Sequence, residues 1–324
     1  MGAYWEGLLL VSFALKRGLG MLGSMFLVIT ITFVLMQLIP GDPASVLLGA
    51  NATPEQIANL KATWGLDRPL STQFYYYFAN LFKGNLGESL YYRQPVLSML
   101  GARAETSLLL GALSLLVLIT IGIPAGVVAA VRRNTWTDRS LLLLALAGAS
   151  IPSFWLGLML MDLVAGRLGW LPSSGFTSVL RTGDLGNLRN LLLPAFSLGF
   201  VNAALVARTA RSSMLDVLHA DYITTARAKG LREQTVVTRH ALKNASIPIL
   251  TVVSFIFASL VSGAVVTETV FSLPGIGSLI VESVLKRDYP VIQGVMLVVA
   301  TLYVVLNFLT DLAYAVLDPR IRTR

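Results

Sequence analysis

The charged positions of this chain are spaced so that six long apolar gaps separate them. No Asp, Glu, Lys or Arg occurs in the 24 residues between Arg17 and Asp42, nor in the 26 between Glu105 and Arg132. The same holds for the 22 residues between Arg139 and Asp162 and the 18 between Arg189 and Arg208. Two further gaps complete the series, 24 residues between Lys243 and Glu268 and 22 between Asp288 and Asp311. A hydrocarbon core ~30 Å thick takes ~20 apolar residues of helix to cross. A charge at its centre costs ~2.5–3.5 kcal/mol on insertion scales. The pattern therefore predicts an all-α integral membrane protein with six transmembrane helices, the first over 19–39 and the others within a core of 105–317. The fourth gap is the shortest, and Arg208 or Arg211 is expected to snorkel from its end.

Composition agrees with that class. Of 324 residues, 55% are hydrophobic and 13% charged, against ~25% charged in a soluble domain. A compact soluble enzyme is disfavoured. The absence of cysteine excludes disulfides, thiolate metal sites and cysteine nucleophiles. Basic residues set the orientation. With the N-terminus inside, 15 of the 25 Lys and Arg fall on cytoplasmic segments. Five of the remaining ten sit in the long segment 40–104, where the positive-inside rule has little force. Both termini are therefore expected in the cytoplasm, and topology accounts for the net charge of +8 without a nucleic-acid partner.

The run Leu8–Leu15 is too short for a signal peptide and precedes Lys16–Arg17 rather than following a basic region. Residues 1–18 are expected to form an interfacial helix leading into an uncleaved first span, and 318–324 a short cytoplasmic tail. The external segment 40–104 is aromatic, with Tyr75–Tyr77, Tyr91 and Tyr92. A few short helices packed against the spans suit its length. Prolines Pro124, Pro152, Pro194 and Pro248 fall one in each of spans two to five. Each removes a backbone hydrogen bond and is expected to kink its helix, either for packing or around a cavity.

No phosphate-binding G-x-x-x-x-G-K-[ST] loop and no H-E-x-x-H occur. The two histidines, His219 and His240, lie outside the spans, so serines within spans lack a base to activate them. Acids within the spans are too few for a proton relay. Asp162, at the end of a gap, reads as an interfacial helix-end residue or a contact to a cationic group of a substrate, and Asn202 is a second candidate for substrate contact.

The cytoplasmic loop 212–245 carries the most information. Leu215, Leu218, Tyr222 and Ala226 recur at helical spacing and predict one apolar face. Gly230 after Lys229 reads as a helix end, with a second helix from about Arg232 to Leu242 leading into span five. Small residues at the tip favour docking to a soluble partner over lying on lipid.

Asp221-Tyr222, Thr225-Ala226-Arg227-Ala228-Lys229-Gly230-Leu231 and Arg239-His240-Ala241-Leu242-Lys243-Asn244-Ala245 resemble the EAA loop of ABC-transporter permeases, in the dipeptide/oligopeptide/nickel group. Thr224 and Thr225 stand where the general pattern has Glu and Ala, and Lys243 where it has proline. Pro40-Gly41-Asp42-Pro43, the stretch from Glu268 to Gly277 and the stretch from Asp311 to Arg320 match the same group, so the resemblance spans essentially the whole chain.

The resemblance implies a type I ABC importer permease fold in a bacterial or archaeal plasma membrane. It also implies a non-catalytic transport subunit without a cofactor of its own, ATP and Mg being bound by partner ATPases. The expected partners are a second homologous permease, two ATP-binding-cassette subunits and an extracytoplasmic binding protein. Residues 221–222 and 225–231 would couple to the ATPases. Phe271, Ser272, Leu273, Pro274, Gly275 and Gly277 form a glycine-rich turn with a mobile tip, read either as a plain turn or as a gate or binding-protein contact. Relatives in the group carry dipeptides, longer peptides, glutathione, nickel chelates and some sugars. A stand-alone secondary transporter or channel, and an intramembrane enzyme, are the alternatives of another class.

Overall fold

The computed structural model describes residues 2–38, 43–49 and 52–317, and among them the regular structure is helical. The first helix, α1 (Gly2–Leu38), is continuous, so the interfacial stretch and first span expected as two pieces are one rod. Three short helices follow: α2 (Pro43–Leu48), α3 (Pro54–Trp64) and α4 (Leu70–Phe82). Thr53 starts α3 with a capping box, exchanging hydrogen bonds with Gln56, and Gly65 closes it in the left-handed region. As expected, this segment packs on the first span: Phe33 meets Phe74 and Tyr77, and Phe26 meets Phe78. The Pro40–Pro43 motif falls largely outside the described residues.

The second span, α5 (Val96–Val131), starts nine residues before the expected boundary at 105. Its early charges are tolerated because they are matched: Arg103 pairs with Glu282 at 3.0 Å. Glu105 accepts hydrogen bonds from the Ser178 hydroxyl and, at 3.0 Å, from the Leu180 amide.

The third span departs most from expectation. Helix α6 (Trp136–Ser150) and helix α7 (Ser153–Leu160), the latter continuing as a π-helical turn Met161–Arg167, meet at 97°. Pro152 does not kink a helix; it precedes one. Ile151 is extended (φ −92, ψ 125) because a residue before proline is pushed out of the helical region. Pro124, Pro194 and Pro248, by contrast, lie inside continuous helices.

A short helix α8 (Val179–Thr182) and a 3₁₀ turn (Leu185–Leu188) lead into α9 (Arg189–Leu218). Helix α10 (Asp221–Ala228) follows, then α11 (Glu233–Thr235), which continues through a π-helical stretch Val236–Ala241 into α12 (Leu242–Val270). Last come α13 (Ile276–Leu285) and α14 (Tyr289–Leu317). Among the described residues, five helices are long and apolar enough to cross a membrane, and six if α6–α7 is one bent span.

The core is centred on α5 and α9, with α12 against both. Glycines let α5 and α9 approach closely. A Cβ on Gly122 would sit 2.9 Å from the Ala203 carbonyl oxygen, and one on Gly126 would sit 2.6 Å from the Ala210 Cβ. Membrane helices, which gain no hydrophobic drive from lipid, use such small-residue contacts to pack.

Candidate functional site

Two segments at opposite ends of α12 carry the motif residues. The helix has 29 residues, so its ends lie ~40 Å apart at ~1.5 Å per residue.

At the first end, the apolar face predicted through Leu215, Leu218, Tyr222 and Ala226 is divided. Leu215 and Leu218 close α9, while His219 and Ala220 separate them from α10. The residues of α10 that reach the core are Ile223, fully buried, and Ala226, whereas Tyr222 is 43% exposed. Ile223 and Ala226 join Met214, Val236, Val237 and Ala241 in the main core. The remaining positions, Asp221, Tyr222, Thr224, Thr225, Arg227, Ala228, Lys229, Gly230 and Leu231, face outward.

Gly230 has the expected role. At φ +77 it takes the left-handed conformation that ends α10 at Lys229, which a residue with a Cβ adopts only at a cost. Across this turn Arg227 donates from Nε to Glu233 at 3.1 Å and from Nη2 at 2.7 Å, a two-bond clasp of the kind guanidinium geometry favours. Asn244 of α12 donates to the Tyr222 hydroxyl at 2.7 Å. This bond holds Tyr222 against α12 without its entering the core.

The α5–α6 turn is bound to the same end. Arg211 does not snorkel; it donates to Asp138 from Nε at 2.6 Å and from Nη2 at 2.8 Å. The Asp138 side chain is only 3% exposed, and the Asn134 amide donates to it at 2.9 Å. Arg133 donates to His219 Nε2 at 3.2 Å, while His219 Nδ1 lies 2.6 Å from the Leu215 carbonyl. These partners assign a neutral ring with its proton on Nδ1. Nothing in the sequence spacing links Asp138 to Arg211; only folding brings them together.

At the other end, the Phe271–Gly277 turn is packed and anchored, contrary to the mobile tip expected of it. Phe271 and Leu273 are buried, and Ser272 and Pro274 are exposed. Phe271 wedges against α7, so that a Cβ on Gly157 would lie 2.8 Å from its ring. Ser272 holds φ +51, an uncommon conformation for a residue other than glycine.

Buried Glu268 organises the turn. It accepts from the Ser107 hydroxyl at 2.6 Å and the Ser278 amide at 2.9 Å, and Ser107 in turn accepts from the Ile276 amide at 2.8 Å. The carboxyl group thus meets the N-terminus of α13, where orphan amides need acceptors. It also occupies the space beside Gly275 and Gly277, which explains the absence of side chains there. Asp288, 1% exposed, accepts from Ser89 at 2.5 Å and from the Leu90 amide at 3.1 Å, fixing the 88–92 loop. Nearby, Lys286 donates to Tyr92 and lies over the Tyr91 and Tyr92 rings. The hydrogen bond to Tyr92 and the surrounding groups hold the ammonium above its ordinary range.

The two residues singled out for substrate contact have partners within the chain. Asp162 pairs with Arg167 at 2.9 Å on the surface of the π-helical turn. The Asn202 amide donates to the Leu198 carbonyl at 2.8 Å within its own helix. They lie on different elements and are not brought together by any contact described.

Known proteins match this arrangement along nearly its full length. The family described as "Binding-protein-dependent transport system inner membrane component" matches residues 122–323. Its companion for the N-terminal part of such membrane components matches 10–106. A putative peptide transport system permease protein of Brucella melitensis is 42% identical over 314 residues, covering 97% of this chain and 99% of the relative. The dipeptide transport system permease protein DppB of Alkalihalophilus pseudofirmus is 39% identical, covering 97% and 100%. The glutathione transport system permease protein GsiC of Escherichia coli is 39% identical, covering 97% and 99%.

Among solved structures, an inward-facing MetNI methionine ABC transporter chain aligns with a TM-score of 0.58 at 18% identity, covering 68% of this chain and 97% of that one. That likeness concerns the fold. With the family matches covering both the N-terminal part and the core, the chain belongs to the family of inner-membrane permease components of binding-protein-dependent ABC importers.

Proposed function

We propose that this chain is one of two permease subunits of an importer of peptides, with α10 and the Gly230 turn as its docking element for a cytoplasmic ATPase. The observation that carries the reading is the dual character of α10. It is exposed on all sides but one, and that side inserts Ile223 and Ala226 into the core shared by α9 and α12. A partner that moves α10 therefore moves the span bundle. ATP can shift the bundle only if docking differs in free energy between bundle states, and a seated helix supplies that difference where a loose loop would not.

The peptide assignment rests on relatives named for peptide, dipeptide and glutathione transport, the last cargo being itself a tripeptide. Nickel chelates and sugars are the alternative cargoes. In this reading the termini and the Gly230 end are cytoplasmic, and Ser272 and Pro274 face the binding protein on the opposite side. Gly230→Pro, or Ala226→Trp, should abolish uptake and substrate-stimulated ATP hydrolysis in vesicles carrying the whole importer while leaving membrane insertion intact. Uptake at the unmodified rate by both variants would reject the docking assignment.

A further inference from the structure

Helix α4 belongs to the segment expected to be external and packed against the spans, and its surroundings are those of a membrane helix. Its 13 residues, Leu70–Phe82, carry no charge, while Arg68 precedes it and Lys83 follows it. One face packs on α1. Gln73 bonds Gln37, Phe74 and Tyr77 meet Phe33, and Phe78 meets Phe26, so α4 runs antiparallel to α1. Phe26 and Phe33 fall inside the first charge-free gap, within the part of α1 apolar enough to span a bilayer. The same rod presents Leu22, Leu27, Ile31 and Val34 outward.

The chain after α4 stays near the head of the last span. Gly87 lies against Pro290, and Gly294 against Val96 and Leu86. Helix α4 is thus held where α14 begins, beside the apolar stretch of α1.

Its second face is also apolar, and the ring contacts made there, Tyr75 with Tyr76 and Phe82 with Phe78, stay within α4. Tyr75 is 67% exposed and Phe82 76%, and seven residues of separation place them on one side. Tyr76 is 49% exposed with the Arg68 guanidinium 5.2 Å from its ring centre. Tyrosine with flanking cations is the composition favoured at the boundary between headgroups and acyl chains, where the ring is apolar and the hydroxyl is wet.

We propose that α4 runs beside α1 in the half of the membrane at the Phe271 end, with Tyr75 and Phe82 in contact with lipid. The helix that α4 packs on exposes Leu22, Leu27, Ile31 and Val34 within a stretch long and apolar enough to span a bilayer, and this surrounding selects lipid as the occupant. The segment 40–104 then contains a membrane-associated element, and only its remaining parts are free to face a soluble partner.

Because the chain contains no cysteine, a nitroxide can be placed at a single thiol in the complete importer. The importer would carry partner subunits cleared of reactive thiols and be reconstituted in liposomes. Labels at Tyr75→Cys, Tyr76→Cys and Phe82→Cys would be compared with Leu27→Cys on α1 and Glu55→Cys on α3. Collision with oxygen, which concentrates in lipid, would be read against collision with a water-soluble nickel chelate. The oxygen-to-nickel ratio at 75 and 82 should exceed that at 55 several-fold and approach that at 27. A ratio at 75 and 82 equal to that at 55 would place α4 in water. Low collision with both reagents would mean protein covers it, as the second permease would. Either result overturns the proposal. Should Phe82→Cys fail to assemble, the ratios at 75 and 76 decide alone.

Discussion

Asp138 surrenders nearly all its hydration to reach Arg211, and the two bonds it receives there join the α5–α6 turn to α9 one helical segment ahead of α10. Taking one partner away leaves a buried charge, which costs ~3–5 kcal/mol. Removing both with apolar groups of similar volume often costs little. Arg211→Met should therefore lower the thermal stability of the purified assembly markedly, while adding Asp138→Leu recovers most of the loss. Thermal unfolding of the four corners of this double-mutant cycle in one detergent gives the coupling. Equal, additive losses would mean that the pair does not act as a unit. The conformationally demanding residues are similarly local in effect: Gly230 turns a helix end, and Glu268 fills the space that Gly275 and Gly277 leave.

Elements show what the sequence could and could not disclose. The six gaps marked the spans because the membrane penalises every charge within them, an effect acting residue by residue and so visible without a partner. The Gly230 helix end was legible for the same reason: it is local backbone chemistry. The direction of Tyr222 was not, because a hydrogen bond from Asn244, 22 residues away, holds it outside the core. The early start of α5 was hidden too, since Arg103 and Glu105 are matched by Glu282 and Ser178 from distant segments. The 97° break could be read only as a kink, because Pro152 alone does not reveal whether neighbours will support a continuous helix. The contact between α5 and α9 depends on glycines at the crossing. Gly126→Leu should force the helices apart at a cost of ~1–3 kcal/mol or more, seen as a lower yield of folded protein in detergent by size-exclusion fluorescence. A yield and melting temperature equal to those of the unmodified chain would show that the crossing has slack.

On the scale of the whole molecule, energy input and solute path reside on different polypeptides. On the proposed reading, the chain contributes half of a passage and a place to be pushed. Reconstituted alone, it should accumulate no peptide against a gradient, whether ATP, a sodium gradient or a proton gradient is supplied. With its permease, ATPase and binding-protein partners and ATP it should do so. Uphill accumulation by the lone chain, measured with radiolabelled dipeptide, would make it a secondary transporter instead. The rod joining α10 to the bundle governs how a push on that helix would arrive. Between α11 and α12 the stretch Val236–Ala241 is π-helical, wound with more residues in each turn than its flanks. Tightening those six residues to ordinary α pitch would swivel the Gly230 tip about the α12 axis by on the order of 100°. A pull along the axis and a twist around it are then interchangeable at this joint, as in a threaded coupling.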